Sequence, residues 1–123
     1  MVRLTLWLTR KVNQEVNRNF MKATVSVICY KHKVLANGYG AILTIRVGSK
    51  ERAFSIINNL SIPKIVSNIG DTKTLIIHPE STLNAHSTEK EKEDAGVFND
   101  LIRISVGIED IEDLIEDFKA ALA

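Results

Sequence analysis

The chain has 123 residues, 45% of them apolar and 25% charged, with a formal net charge of +1. These values fit one globular domain with enough chain to bury a core, and near neutrality gives no case for nucleic acid or a membrane surface as a partner. A single cysteine, Cys29, excludes an internal disulfide and a cysteine-based metal site.

No apolar run reaches the roughly 18 residues of a membrane span. The N-terminus lacks the continuous apolar core of a signal peptide, so a reducing, cytoplasmic setting is the expectation. Val2, Leu4, Leu6 and Leu8 alternate with polar residues, the period of an extended segment with one apolar face. Val12, Val16 and Phe20 then predict a helix over about residues 10–22. Residues 24–30, with Val25, Val27 and Cys29 on one face, read as a strand. Residues 31–40 read as a basic loop ending in turn chemistry.

Residues 41–47 alternate cleanly, with Ala41, Leu43, Ile45 and Val47 on one face of a strand. Ser49 can N-cap a following helix whose stripe is Ala53, Phe54, Ile57 and Leu60, and which must stop before Pro63. Residues 65–69 are short and apolar, Gly70-Asp71 makes a turn, and residues 74–78 form a strand closed by Pro79. A polar loop over 80–87 leads to Thr88 and Glu91, the capping box of a short charged helix with a solvated surface, ended by Gly96.

Residues 101–106 are the last strand. Gly107 turns the chain, Asp110 caps a final helix, and Ile108, Ile111, Ile115, Phe118 and Leu122 form its buried stripe. The acids Asp110, Glu112 and Asp113 suit the positive end of that helix, a structural reason that argues against a metal site. His32, His78 and His86 are dispersed without metal-ligand spacing. The short links favour an α+β layer: a small, mostly antiparallel sheet with helices on one face. One charge breaks the pattern of the last strand. Arg103 shares its face with Leu101 and Ser105, opposite Ile102, Ile104 and Val106. It therefore leaves the core and is expected to be exposed or paired with a local acid.

Three stretches together resemble the C-terminal domain of the cysteine/methionine-metabolism (transsulfuration) group of pyridoxal-phosphate enzymes. They are GYGAILTI at 38–45, SNIGDTKTLIIHPEST at 67–82 and AGVFNDLIRISVGIEDIEDLIEDFKAAL at 95–122. GDTKTL is most similar to the O-acetylhomoserine sulfhydrylase branch. TLWLTRKVNQEVN at 5–17 is similar to the family's crossover between domains. The resemblance divides the chain into a crossover segment and linking helix over 1–23 and a C-terminal α+β domain over 24–123. The loop between Tyr30 and Asn37 is shorter than the family's.

By this resemblance Arg103 binds the α-carboxylate of an amino-acid substrate, for which the guanidinium fork is well suited. Asn68 lies beside that carboxylate, with a turn-forming role as its structural counterpart. Thr74 matches a small hydroxyl residue near the catalytic lysine, with an ordinary strand role as its counterpart. His78 and Ser81 sit in HPEST, similar to a family HPAST, where they shape a loop; the Thr-His pair that usually follows is here Leu83 and Asn84.

The family's pyridoxal phosphate needs a Schiff-base lysine, an aspartate for the pyridine nitrogen, a stacking tyrosine and phosphate ligands, all borne by a large domain. No lysine here lies in a context resembling the Schiff-base motif. The resemblance therefore implies a partial homologue of a sulfhydrylase of homocysteine and methionine biosynthesis, inactive and without cofactor when alone. Two alternatives stand beside it: half of a split enzyme completed by a large-domain chain, or a regulatory module that binds amino-acid carboxylates through Arg103; the expected partner is a large-domain chain or, in a homo-oligomer, a second copy.

Overall fold

The computed structural model describes residues 41–123. The expectations for the crossover segment, the helix over 10–22, the strand over 24–30, Cys29 and the shortened loop lie outside these residues.

Four strands form one sheet in the order β1-β4-β3-β2. They are β1 (Ile42–Arg46), β2 (Lys64–Ile65), β3 (Leu75–Ile77) and β4 (Leu101–Ser105). Strand β4 lies at the centre, antiparallel to β1 with Thr44 opposite Arg103, and antiparallel to β3 with Ile77 opposite Arg103. The two-residue β2 pairs parallel with β3. Three helices complete the domain: α1 (Lys50–Asn59), α2 (Glu89–Asp94) and α3 (Ile111–Leu122).

The alternation legible in β1 and β4 sorts the two sheet faces. Leu43, Ile45, Ile76, Ile102 and Ile104 form one cluster with Ala53, Ile56 and Ile57 of α1 and Leu114, Ile115 and Phe118 of α3. This is the expected α+β layer with helices against one face. Local chemistry places the helix starts. The Ser49 hydroxyl accepts from Arg52 N–H, the Asp110 carboxylate from Glu112 N–H, and Thr88 with Glu91 forms the full reciprocal capping box. Asp117 on α3 accepts the N–H groups of Ser61 and Ile62, tying the end of the first helix segment to the last helix.

Several expected stripes shift. In α1 Ile56 is buried together with Ala53 and Ile57, while Phe54 is exposed at one edge with its ring 4.9 Å from that of His78. In α3 Leu114 and Ala121 are buried; Ile111 and Leu122 are only partly so, and Ile108 is exposed because the helix starts after it. Of residues 65–69 only Ile65 is in a strand, and Ile65, Val66 and Ile69 all face solvent. Residues 80–87 are not wholly loop: Pro79–Ser81 is a 3-10 turn capped by His78.

The surface of α2 is not uniformly solvated either. Lys92 is buried, donating to Glu80 at 3.0 Å and Glu89 at 3.0 Å, while Lys50 of α1 donates to the other Glu80 oxygen at 2.6 Å. These two ammonium groups, Lys50 first, hold the Glu80 carboxyl down at about 2 from the ordinary 4.5. A folded-state value below the unfolded one contributes stability above pH 4.5 that is lost as pH falls toward 2. Glu80→Gln is therefore expected to cost about 1 kcal/mol at neutral pH and to flatten the decline in stability over that acid range, as followed by urea melts at stepped pH.

Candidate functional site around Arg103

Arg103 sits mid-strand on β4, on the face turned away from α1 and α3. It is half-buried. Its Nη2 donates to the main-chain carbonyl of Ser67 at 2.6 Å and lies 3.4 Å from that of Asn68. Among the described residues no carboxylate pairs with it, so the expected local acid is replaced by backbone oxygen. Its face is also less open than alternation implies. Leu101, Ser105, Leu75 and Ile77 are buried there, while every residue from Lys64 to Lys73 is exposed. The segment over 66–70 crosses this face, with Gly70 N–H donating to the Ser105 hydroxyl at 3.2 Å.

The structure thus brings Arg103 and Asn68 together, through the Asn68 carbonyl. Thr74 is placed differently. It is 1% exposed, with its N–H and hydroxyl donated to the two Glu109 oxygens at 2.6 and 2.8 Å and its hydroxyl accepting Gly107 N–H at 3.0 Å. That hydroxyl is committed to joining the β2–β3 connection to the turn before α3. His78 is buried, its Nε2 2.7 Å from the Asn99 carbonyl and its Nδ1 2.9 Å from Ser81 Oγ. A carbonyl can only accept, so Nε2 carries the proton and Nδ1 receives from Ser81. The pair shapes the 3-10 turn, in keeping with a loop role for HPEST.

Two contacts escaped sequence reasoning. Asp100 is buried, accepting Arg46 Nε at 2.8 Å and Gly48 N–H at 3.1 Å, and the Arg46 guanidinium lies 4.1 Å from the centre of the Phe98 ring. This clamp fixes the entry of β4 against the exit of β1. The second is Ser105; a hydroxyl two residues from Arg103 on an otherwise apolar strand was its visible signal.

Around Arg103 the groups are a guanidinium, amide hydrogens and carbonyls. The guanidinium suits an oxyanion such as a carboxylate. Pyridoxal phosphate needs a lysine amine and a carboxylate for its ring nitrogen, and none of the contacts described around Arg103 supplies either. The contacts around Arg103 therefore do not fit that cofactor as its holders.

The family model for Cys/Met metabolism PLP-dependent enzymes matches residues 11–123. The chain belongs to this family. Homocysteine synthase of Schizosaccharomyces pombe is 44% identical over 91 residues, covering 73% of this chain and 21% of that protein. O-acetyl-L-homoserine sulfhydrylase 1 of Thermus thermophilus is 42% identical over 85 residues, 68% of this chain and 20% of the relative. A Campylobacter jejuni crystal structure described as an O-acetylhomoserine (thiol)-lyase, containing a pyridoxyl-lysine monophosphate, superposes with a TM-score of 0.81 at 27% identity, covering 98% of this chain and 31% of that one. The chain spans about a fifth of the length of the curated relatives it matches. Within the Cys/Met metabolism family, the β4–turn–α3 unit that carries Arg103 falls inside the matched region.

Proposed function

We propose that this chain forms the substrate-carboxylate wall of a pyridoxal-phosphate-dependent sulfhydrylase, and that it catalyses nothing until a lysine-bearing domain, in the same polypeptide or another, faces it. The observation that carries this reading is Arg103. A guanidinium in the centre of the sheet leaves the helical core, is braced at Nη2 by two carbonyls, and keeps Nε and Nη1 without a partner among the described residues. A guanidinium binds a carboxylate through charge-assisted hydrogen bonds, and the free Nε and Nη1 hydrogens, on separate edges of the group, remain to donate them. Asn68 lies at the rim of that position.

The substrate class is an activated homoserine, whose γ-acyl group is exchanged for a sulfur nucleophile to give homocysteine. In this scheme Arg103 binds and orients the amino acid through its α-carboxylate; the cofactor, when bound by the facing domain, supplies the electron sink. The exposed Ile69, 61% accessible and next in sequence to the bracing Asn68, gives the facing domain an apolar side chain to cover.

The test is co-expression of the chain with the lysine-bearing domain of a homocysteine synthase, followed by co-purification and assay of homocysteine from O-acetyl-L-homoserine and sulfide. A stable complex with turnover, and neither from the separate pieces, is the expected result. No complex and no turnover would remove the reading.

A further inference from the structure

The segment over 66–70 has few holds on the domain. All its residues are exposed, and among the described residues the side chains that hold it to the rest of the fold by hydrogen bonds are two of β4, Arg103 and Ser105. These are two apart on one strand, so they rise from the same face roughly 7 Å from each other. Arg103 donates to the front of the segment, at Ser67 and Asn68, and Ser105 accepts from its end, at Gly70. Ser105 is 2% exposed. A buried hydroxyl is costly unless it is bonded, and the described structure gives its oxygen one partner, the Gly70 N–H at 3.2 Å.

An arginine side chain is long and rotamer-rich, so a ligand that must first order it binds less well. The carbonyls that order Arg103 belong to an exposed segment with no apolar anchor, and they are only as fixed as that segment is. We propose that Ser105 is a positioning residue for the carboxylate site: by holding Gly70 it fixes the 66–70 segment, and the Ser67 and Asn68 carbonyls then hold the guanidinium with Nε and Nη1 left for the ligand. The inference rests on the carboxylate-binding role of Arg103 and adds the residue that acts through it.

The test uses the full chain labelled with nitrogen-15. In the wild type, the Gly70 amide should exchange with solvent at least tenfold more slowly than the Asn68 and Ile69 amides; equal exchange at all three overturns the tether. The Arg103 Nη resonances should be separately resolved in the wild type, because a held Nη2 cannot average with Nη1. In Ser105→Ala they should coalesce while the amides of Leu43 and Ile102 keep their shifts. Ser105→Cys, close in size but a poor acceptor, serves if the alanine variant does not fold; an unchanged Arg103 pattern in the folded variant sinks the proposal. Titration with O-acetyl-L-homoserine separates the two layers. Wild-type binding that weakens about five- to tenfold in the Ser105 variant supports the inference. Equal binding by both overturns it alone, whereas no Arg103 response in the wild type removes the carboxylate reading beneath it.

Discussion

Gly107→Ala is expected to destabilise the domain by about 3 kcal/mol, through overpacking against atoms that have little room to yield. A Cβ at this position would come to 2.5 Å from the Thr72 carbonyl oxygen, the Lys73 carbonyl carbon and a Glu109 carboxylate oxygen. Two of the three are backbone. The same turn holds Gly107 N–H to the Thr74 hydroxyl at 3.0 Å and Ile108 N–H to the Thr72 carbonyl at 2.9 Å. Room for a methyl group therefore opens only if the Thr72–Thr74 backbone separates from the turn, and Glu109 then loses its grip on Thr74. For a domain of this size the thermal midpoint should fall by roughly 15 °C or more. Gly96→Ala is the control: it has a φ of +68° but open space around it, so only the left-handed backbone is strained and the cost should be about 1–2 kcal/mol. Calorimetry that ranks the two equally would show that close approach is not what holds position 107 as glycine.

Arg103→Ala, in the chain completed by its lysine-bearing domain, should lower kcat/KM for O-acetyl-L-homoserine by about 10²- to 10³-fold. That is the size expected when a charge-assisted contact to a carboxylate is removed and the carboxylate is left without its partner. Arg103→Lys should recover little. An ammonium is a compact point charge that does not reproduce the fixed, spread donors with which a guanidinium is braced on one side and binds on another. The stability of the isolated chain should change by less than about 1 kcal/mol, because the guanidinium is half-exposed and its partners can turn to water. A large loss of both stability and activity would mean that Arg103 serves the fold first.

Much of the fold could be read from local chemistry. Ser49, Thr88 with Glu91, and Asp110 each begin a helix as expected, because a cap depends on residues two or three positions away. The alternation in β1 and β4 identified the core face for the same reason. What could not be read depends on distant chain. Arg103 was expected to be exposed or to pair with a local acid; it is half-exposed and bonded to carbonyls of Ser67 and Asn68, and a carbonyl carries no residue-specific mark in the sequence. Thr74 matched a family position near the catalytic lysine, yet its hydroxyl is engaged by Glu109 and Gly107, more than thirty residues downstream. Phe54 was set in the stripe of α1, but the helix turned Ile56 inward and left the ring at the edge beside His78. Lys92 was assigned to water because charged helices usually are solvated; Glu80, on a different element, drew it in.

The position of β4 in the sheet bears on how the chain is made. It is the central strand, with β1 on one side and β3 on the other, and of the four it emerges last from the ribosome. Until it does, β1 and β3 have no common neighbour, and the apolar faces of both wait uncovered beside a helix that can shield only part of them. Folding during synthesis is therefore delayed until Leu101–Ser105 is available. A transcript cut short before that point would yield a product with two orphaned strand edges, a substrate for chaperones and proteases rather than a smaller working domain.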